Sequence, residues 1–533
     1  MHHPSRTKPL LCRELVGRER ELQELDEALQ QAASGNPQLV LLAGEAGRGK
    51  TKLCRAFIEI SQGQQALVLF GQANSQDQAL PFGPFLNAFR RYLEAPASNH
   101  ATSNTALHAA LAILLQPFPE LALLFPGITP PPLNGAGSPS QHQQVMFHSV
   151  LRGLESLIQA HQKPLLLILE DLHWADETSL ELLAFLANHF DVTTSSATST
   201  CSDKSTGLMI LGTYRTEALP EHAALRRLLH QLRTRRQVYE MSLAHLDANE
   251  HRRFVNSILE QSMPEEFLRF LFAWDEGNPF FTEELLGAMA ATGYLQPQPQ
   301  GWVTQPGIKL QLPSSLTETI LERLERLPAA DQEMLAYAAI IGRTFDFPLL
   351  AALCGLDERK LVSVLRRAMR LQLISEVGTS QLLMSPHGEQ ERYQFRHALT
   401  REAIYEHMLA PERRLRHRAV AETLEKLVTG IPTPPGPVAF VQQLDTVAHL
   451  LAEHFWLAGL ADRARPYALQ EADRASRLCA FWEERYYLNM AQASLPADSP
   501  ERLSLLQRLG IVSLGLYDFP NALYWFDLAK AAS

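Results

Sequence analysis

An eight-residue segment, GEAGRGKT, has residue types and spacing that suit phosphate chemistry. Gly44, Gly47 and Gly49 allow a loop to bend so closely that its backbone N–H groups point at phosphate oxygens. Lys50 would place a positive charge on the β- and γ-phosphates, and the hydroxyl of Thr51 would ligate Mg²⁺. The segment fits the Walker A pattern GxxxxGK[ST] and therefore predicts a nucleotide site, with Lys50 as a candidate catalytic residue.

A second group of candidates follows the apolar run LLLIL, where Glu170 and Asp171 form an acidic pair. One carboxylate would hold Mg²⁺, directly or through water, and its neighbour would orient or deprotonate the attacking water. This is the arrangement of a Walker B site. Glu170 stands where the metal-binding residue is usually an aspartate, so the sequence leaves open which of the two carboxylates holds the metal.

A third apolar run, at residues 208–213, ends in polar residues. A strand beside the Walker B strand can present a side chain to the γ-phosphate, and Thr213 and Arg215 are the candidates. An arginine at this place would stabilise the negative charge that develops during hydrolysis. A surface arginine after a strand is the alternative interpretation of Arg215.

The elements that must position these residues alternate between strands and helices as far as residue 240. The apolar strand QLVLLA precedes the phosphate loop, and a helical pattern begins at Lys50. Such alternation predicts an α/β domain with a parallel sheet, the fold class of P-loop nucleotide-binding proteins. Thr178 and Glu181 fit a capping box, which predicts that a helix begins at Thr178.

Beyond residue 240 the strand signals fade and helical patterns dominate, except near residues 374–377 and 393–395. Helices followed by two short strands have the outline of a winged helix. Two segments that begin at Gly459 and Gly515 are weakly similar, as in a degenerate array of helical hairpins, although two unrelated amphipathic helices would look the same. The predicted organisation is a tail (1–12), a P-loop domain (13–240), a helical lid (241–292), a linker (293–312), a winged helix (313–428), a Pro-rich linker (429–441) and a partial tetratricopeptide-like array (442–533).

Composition limits the classes of protein to which the chain can belong. It has 533 residues, a net charge of -10 and 46% hydrophobic residues, as in ordinary globular proteins of several domains. No apolar run reaches the length of a membrane helix and no secretory signal is recognisable, so we expect a cytoplasmic protein without membrane contact. The acidity disfavours broad non-specific binding to nucleic acids. Five scattered cysteines without a CxxC pair make a disulfide framework improbable.

Six motifs in order carry a family resemblance: LVGRERELQEL from Leu15, the Walker A segment, LILEDLHWADETSLELL from Leu167, GTYR from Gly212, EGNPFFTEELL from Glu276 and FRHALTREAIY from Phe395. Together they resemble the STAND class of AAA-like signalling ATPases, and in particular large bacterial regulators of the LuxR/MalT kind. The resemblance is strong over residues 13–430 and weak over residues 440–533. It implies ATP and ADP as ligands, with Mg²⁺.

The resemblance implies further nucleotide contacts. Val16, Gly17 and Arg18 match the stretch that lies against the adenine in this class. Gly277 and Pro279 match a Gly-x-Pro motif of the helical lid, whose proline packs near the base. An ordinary turn between helices is the other interpretation of Gly277 and Pro279.

His397 matches a histidine that related switches place on the β-phosphate of ADP, although a histidine that caps or packs the domain is equally compatible with the sequence. The class implies a switch that is closed with ADP and open with ATP. An inducer or protein partner would bind the C-terminal helices, and the ATP state would self-associate. No output domain is evident, so DNA would be contacted only through a domain outside this chain, which looks like a fragment of a longer regulator.

Two other functions remain open at this point. An origin-recognition-type AAA protein shares the P-loop and winged-helix layout and would bind DNA itself. A non-hydrolysing scaffold would keep ATP as a structural ligand and capture a protein or a small ligand through its helical repeats. The regulator, most plainly a regulator of transcription, is the interpretation that the six motifs favour.

Overall fold

A computed structural model describes most of the chain. The described residues are 10–74, 78–94, 139–195, 207–291, 293–298, 301–304, 316–325, 327–371, 373–380, 390–429, 437–496 and 499–532.

The first domain is built on a five-stranded sheet. Its strands are β1 (Gln38–Ala43), β2 (Leu67–Gln72), β3 (Leu165–Glu170), β4 (Leu208–Tyr214) and β5 (Tyr239–Ser242). They lie in the order β2-β3-β4-β1-β5, and all of the pairings are parallel. The carboxyl ends of the strands therefore meet at one edge, where the predicted phosphate loop and the acidic pair both lie.

Helices cover both faces of this sheet. They are α1 (Glu19–Ala33), α2 (Lys50–Gly63), α3 (Gly83–Glu94), α4 (Pro139–His161), α5 (Glu177–Ser195) and α6 (Ala223–Thr234). One core forms under α1 and α2 around Leu25, Leu53 and Phe57, and a second forms on the opposite face. Strands buried on both faces need apolar residues at every position, which explains the unbroken run at 165–169. The predicted α/β P-loop fold class is confirmed.

The predicted start of α5 is wrong by one residue, and its cap is a different residue. Asp176 is the N-terminal cap, because its Oδ1 accepts the backbone N–H of Ser179 at 2.7 Å and its Oδ2 accepts the Ser179 hydroxyl at 2.6 Å. Thr178 lies inside the first turn, and its hydroxyl donates to Glu483 instead. The cap is therefore Asp176, two residues before Thr178, and not the predicted capping box of Thr178 and Glu181.

Three helices follow the first domain, and we call them the lid helices. They are α7 (Ala248–Leu259), α8 (Glu265–Asp275) and α9 (Pro279–Ala291). A short antiparallel hairpin, β6 (Leu295–Gln298) and β7 (Gly301–Thr304), comes next. The described part of the segment predicted as a linker, residues 293–312, thus contains a hairpin.

The middle unit, residues 316–429, has its own apolar core and a three-stranded antiparallel sheet. Its elements are α10 (Leu316–Glu325), α11 (Ala329–Ile341), β8 (Thr344–Asp346), α12 (Phe347–Cys354), α13 (Glu358–Arg370), β9 (Ile374–Ser380), β10 (Gln390–Phe395), α14 (Ala398–His407) and α15 (Ala410–Thr429). The strand order is β8-β10-β9. The sequence predicted β9 and β10, whereas β8 has only three residues and too short an alternation to recognise.

The helical unit, residues 437–532, contains α16 (Pro437–Leu457), α17 (Ala461–Arg477), α18 (Phe481–Ala493), α19 (Pro500–Gly515) and α20 (Phe519–Ala532). Each helix packs on the next one along the chain. Ala464, Ala468 and Ala472 are fully buried at a spacing of four, so α17 can approach its neighbours closely. Among the described helices of the whole chain, none is long and apolar enough to cross a membrane.

Candidate functional site

The phosphate loop connects the carboxyl end of β1 to the first turn of α2. Gly47 and Gly49 have φ values of +83° and +91°, a left-handed conformation in which a side chain is strained. Gly44 directly follows the strand, and Gly49 directly precedes the helix. The amino end of α2 therefore faces the loop with its unpaired N–H groups, as an anion site requires.

The Lys50 ammonium group and the backbone N–H of Ala46 both have hydrogen-bond partners within the protein. Lys50 Nζ donates to the carbonyl oxygens of Gly44 at 2.6 Å and Glu45 at 2.9 Å. Burial lowers the pKa of Lys50 to about 8. The backbone N–H of Ala46 donates to a carboxylate oxygen of Glu217 at 2.8 Å, so an anionic oxygen sits where a phosphate oxygen can sit.

The acidic pair lies at the carboxyl end of β3. Glu170 is 1% exposed, and burial, together with the negative charge of Asp171, raises the pKa of Glu170 to about 7. The side chain of Thr51 interacts with Glu170 and works against the rise in its pKa, while Glu170 Oε1 has no hydrogen-bond partner among the described residues. A buried carboxylate oxygen without a partner, beside a hydroxyl and a second carboxylate, fits a hard cation such as Mg²⁺.

This oxygen set is small, as expected for Mg²⁺. In the described part of the chain, no group of three or more His, Cys, Asp or Glu side chains could hold a metal alone. Mg²⁺ at nucleotide sites takes one or two carboxylates and completes its shell with phosphate and water oxygens. Thr51, Glu170 and Asp171 therefore remain the predicted ligands.

Asp171 is fixed from three sides. Its backbone N–H donates to the hydroxyl of Thr213 at 3.0 Å, and its Oδ2 accepts Gln72 Nε2 at 3.0 Å. Arg343 Nη1, from the middle unit, donates to the same Oδ2 at 2.9 Å. Burial alone would raise the pKa of Asp171, but the charges of Arg343, His173 and Arg215 and the hydrogen bond from Gln72 together outweigh burial, and the pKa is lowered. The hydroxyl of Thr213 thus holds the backbone of Asp171 in place.

Arg215 follows β4 and comes to the same edge of the sheet. Its Nη1 donates to Glu402 Oε2 of the middle unit at 3.1 Å. The surface-arginine alternative does not describe this position, because the Arg215 side chain is only 12% exposed and is ion-paired to another unit.

A cavity of about 680 Å³ opens over the loop, a size that suits a mononucleotide. The predicted residues that line it are Gly47, Gly49, Lys50, Thr51, Asp171, Arg215, Pro279 and His397. Seven predicted residues do not line the cavity. Three of them belong to the same edge of the sheet: Gly44, Glu170 and Thr213. The other four are Val16, Gly17, Arg18 and Gly277. The charged lining residues that the sequence motifs did not single out include Arg55, Glu283, Arg343 and Arg396.

The Val16-Gly17-Arg18 stretch is held against the base of the loop. Arg18 Nη2 donates to the carbonyl oxygen of Ala244 at 2.6 Å and to that of Arg48 at 3.4 Å. Its Nη1 donates to Glu21 at 3.1 Å. Arg18 therefore fixes the loop to the segment after β5, and the adenine contact of this stretch stays a prediction.

Gly277 shapes the turn that brings Pro279 to the cavity. Its φ is +77°, and a Cβ there would lie 2.1 Å from the carbonyl oxygen of Leu246, so only glycine fits. The buried carboxylate of Asp275 accepts the N–H of Gly277 at 2.9 Å and the hydroxyl of Thr282 at 2.8 Å. No local pattern in the sequence marks Asp275, because its partners are recognisable only in the folded turn.

His397 stands at the start of α14 and reaches the cavity from the middle unit. Its ring lies 3.9 Å from the ring of Phe280, centroid to centroid. Nε2 is buried without a hydrogen-bond partner among the described residues. Burial, reinforced by the charges of Arg396 and Arg343, lowers the pKa of His397 well below 6.5. A neutral imidazole with a free nitrogen can donate one hydrogen bond to an anionic oxygen.

Comparison with protein families identifies the first domain. Residues 14–197, 184 of the 533 residues, match the family described as AAA ATPase domain. The predicted AAA-like P-loop ATPase is therefore confirmed for this domain.

Similarity to one curated relative extends over most of the chain. An uncharacterized protein of Rhizobium meliloti is 27% identical over 526 residues, which is 94% of this chain and 45% of that protein. A STAND protein with a tetratricopeptide repeat sensor from Pyrococcus horikoshii has 14% identity and a TM-score of 0.44, over 98% of this chain and 65% of its own. The ORC1 protein of Aeropyrum pernix, solved with DNA, has 13% identity and a TM-score of 0.33, over 74% of this chain and 93% of its own. This chain thus spans about half the length of the curated relative that it matches.

Proposed function

We propose that this protein is an ATP-binding signalling switch that hydrolyses ATP slowly. The observation that carries the proposal is the cavity, which joins a Walker A loop and Asp171 to His397 of another unit. Lys50, Asp171 and Arg215 lie at the carboxyl edge of the sheet, which we call the catalytic edge. A nucleotide in this cavity touches the catalytic edge and the middle unit at once. Binding of a ligand that prefers one arrangement of these units shifts the population towards that arrangement.

Each residue has a distinct role in this proposal. Lys50 leaves the carbonyl oxygens of Gly44 and Glu45 and binds the β- and γ-phosphates, while the N–H groups of the loop bind the remaining oxygens. Mg²⁺ bound at Thr51 and the acidic pair would supply positive charge against the phosphates. Asp171 orients the attacking water, and Arg215 stabilises the charge that develops on the γ-phosphate.

The switch itself resides in the middle unit, which we propose to be a winged helix. With ADP, the free nitrogen of His397 donates to the β-phosphate and the middle unit stays closed over the cavity. With ATP, the extra phosphate competes for this space and favours opening and self-association. The helical unit is a tetratricopeptide-like sensor for an inducer or protein partner. The process that we propose it regulates is transcription.

Steady-state ATP turnover tests this function. Wild-type protein is compared with Glu170→Gln and Asp171→Asn, which keep the shape of each side chain and remove its charge. Turnover of the wild type should be slow but measurable, and each variant should lose about a hundredfold, as expected when a general base or a metal ligand is removed. Glu501→Gln, an exposed residue of α19, is the matched control.

The same experiment separates the switch from a non-hydrolysing scaffold. Equal, near-zero rates in the wild type and in both variants, with ATP still bound, would contradict the switch and support the scaffold.

A further inference from the structure

Two ion pairs cross from the middle unit to the catalytic edge of the first domain. Arg343 Nη1 lies 2.9 Å from Asp171 Oδ2, and Glu402 Oε2 lies 3.1 Å from Arg215 Nη1. The middle unit thus presents a cation to the catalytic acid and an anion to the catalytic arginine. Asp171 and Arg215, the two charged residues to which we assign hydrolytic roles, are thus each paired with a residue of opposite charge.

Both pairs are shielded from water. The Arg343 and Asp171 side chains are 19% and 12% exposed, and those of Arg215 and Glu402 are 12% and 25% exposed. Ion pairs at such depth interact more strongly than surface pairs, because less water screens them. Arg343 Nε is buried without a hydrogen-bond partner among the described residues, so Asp171 is the hydrogen-bond partner identified for this side chain.

Arg343 and Glu402 belong to one packed body. Arg343 lies between α11 and β8, and its carbonyl oxygen accepts the backbone N–H of Phe395 at 2.8 Å. Glu402 lies on α14, whose Ile404 packs in the same apolar core as Phe395. The two charged side chains therefore approach or leave the catalytic edge together when the middle unit moves.

When the middle unit is docked on the first domain, Asp171 and Arg215 are both engaged by its side chains. Asp171 Oδ2 accepts Gln72 and Arg343 at once, which neutralises the carboxylate and takes up lone pairs that would orient a water. The Arg215 guanidinium donates to Glu402, which competes with the γ-phosphate for it. In this arrangement the charges of Asp171 and Arg215 are both paired with side chains of the middle unit.

We infer that Arg343 and Glu402 are paired regulatory positioning residues, which hold Asp171 and Arg215 out of the hydrolytic arrangement while the middle unit is docked. Undocking releases both residues in one movement. The inference rests on the proposed function, because it assigns the regulation of that same site.

The test measures kcat and KM for ATP in Arg343→Ala and Glu402→Gln. Each should raise kcat roughly five- to twentyfold, the range of an ordinary coupling between two sites. Glu402→Gln should also lower KM, because it frees a group that touches the γ-phosphate, whereas Arg343→Ala should leave KM nearly unchanged. Arg392→Ala is the matched control, because Arg392 pairs with Asp346 at 2.6 Å within the same small sheet and does not line the cavity.

Two further variants distinguish release from a general loosening of the fold. Arg343→Lys keeps the charge and should restore much of the suppression. Asp171→Asn in the Arg343→Ala background should remove the gain in kcat, because the gain depends on a free Asp171.

The possible failures are distinguishable. No ATP binding by any form would sink the proposed function itself. ATP binding and turnover with kcat unchanged or lowered in both variants, or raised equally by Arg392→Ala, would overturn only the inference. Lower kcat with weaker nucleotide binding in Arg343→Ala would make Arg343 a nucleotide ligand and would overturn it as well.

Discussion

Glu483 of the helical unit accepts two hydrogen bonds from Thr178 of the first domain. The backbone N–H of Thr178 lies 3.3 Å from Glu483 Oε1, and its hydroxyl lies 2.6 Å from Glu483 Oε2. Beside this contact, Trp482 Nε1 donates to Glu181 at 3.0 Å. The helical unit is therefore docked on α5, the helix that follows the acidic pair of the catalytic edge.

This contact makes stability depend on pH through Glu483. Burial, together with the negative charge of Asp176, raises the pKa of Glu483 to about 8 from its ordinary value of 4.5. The folded state therefore holds a proton that the unfolded state gives up. The resulting stability is fully present below pH 4.5 and is lost as pH rises through 8, by at most about 1.4 kcal/mol for each pH unit.

Glu483→Gln should remove this dependence. The variant and the wild type should unfold at similar temperatures near pH 4.5, and the variant should become progressively the more stable one up to pH 8. Thermal unfolding at a series of pH values measures the difference, with Glu501→Gln, on an exposed site of α19, as the control. A constant difference across this range would show that Glu483 does not retain its proton.

Asp176 caps two helices at once, and we expect it to be unusually important for stability. Its oxygens accept the N–H groups of Phe82 and Gly83 at the start of α3, both at 3.1 Å, in addition to two bonds from Ser179. Asp176→Ala should lower the free energy of unfolding by about 2–4 kcal/mol, because buried donors lose their acceptor.

Asp247→Ala is the matched control for Asp176→Ala. Asp247 caps only α7, at an exposed site, by accepting the N–H groups of Asn249 and Glu250 at 2.8 Å. A loss of about 1 kcal/mol is usual for one such cap. Equal losses in the two variants, measured by thermal unfolding, would contradict the double role of Asp176.

Gly277→Ala should destabilise the turn before α9 by more than the backbone strain of a positive φ alone. The new Cβ would lie 2.1 Å from the carbonyl oxygen of Leu246, so the turn must move and take Pro279 away from the cavity. We expect a lower unfolding temperature together with weaker ATP binding.

Gly355→Ala separates the two causes. Gly355 also has a positive φ, +58°, but a Cβ at this position would meet no atom within 4 Å, so this variant carries only the backbone cost of about 1 kcal/mol. If Gly277→Ala loses no more stability than Gly355→Ala and binds ATP normally, the close approach to Leu246 is not what selects glycine.

The sequence predicts the strands and the turns of the phosphate loop well because their signals are local. The apolar runs that form β1 and β3 are continuous, and Gly47 and Gly49 stand where the chain must turn with positive φ. A strand that ends in charge, followed by a helix, is recognisable without knowledge of the rest of the fold.

The regulatory contacts could not be predicted in the same way. Arg343 meets Asp171 across 172 positions of the chain, and Glu402 meets Arg215 across 187. Neither Arg343 nor Glu402 belongs to a local pattern, and their partners depend on how whole units pack. The bond from the Thr178 hydroxyl to Glu483 was equally hidden, because it spans 305 positions of the chain.

The central claim is that the loop from Gly44 to Thr51 binds ATP and ADP through Lys50. Isothermal titration calorimetry with each nucleotide and Mg²⁺ tests it most directly, on the wild type, on Lys50→Ala and on the exposed control Lys163→Ala. We predict one nucleotide per chain for the wild type and for the control, and no measurable binding for Lys50→Ala. Unchanged affinity in Lys50→Ala would contradict the claim.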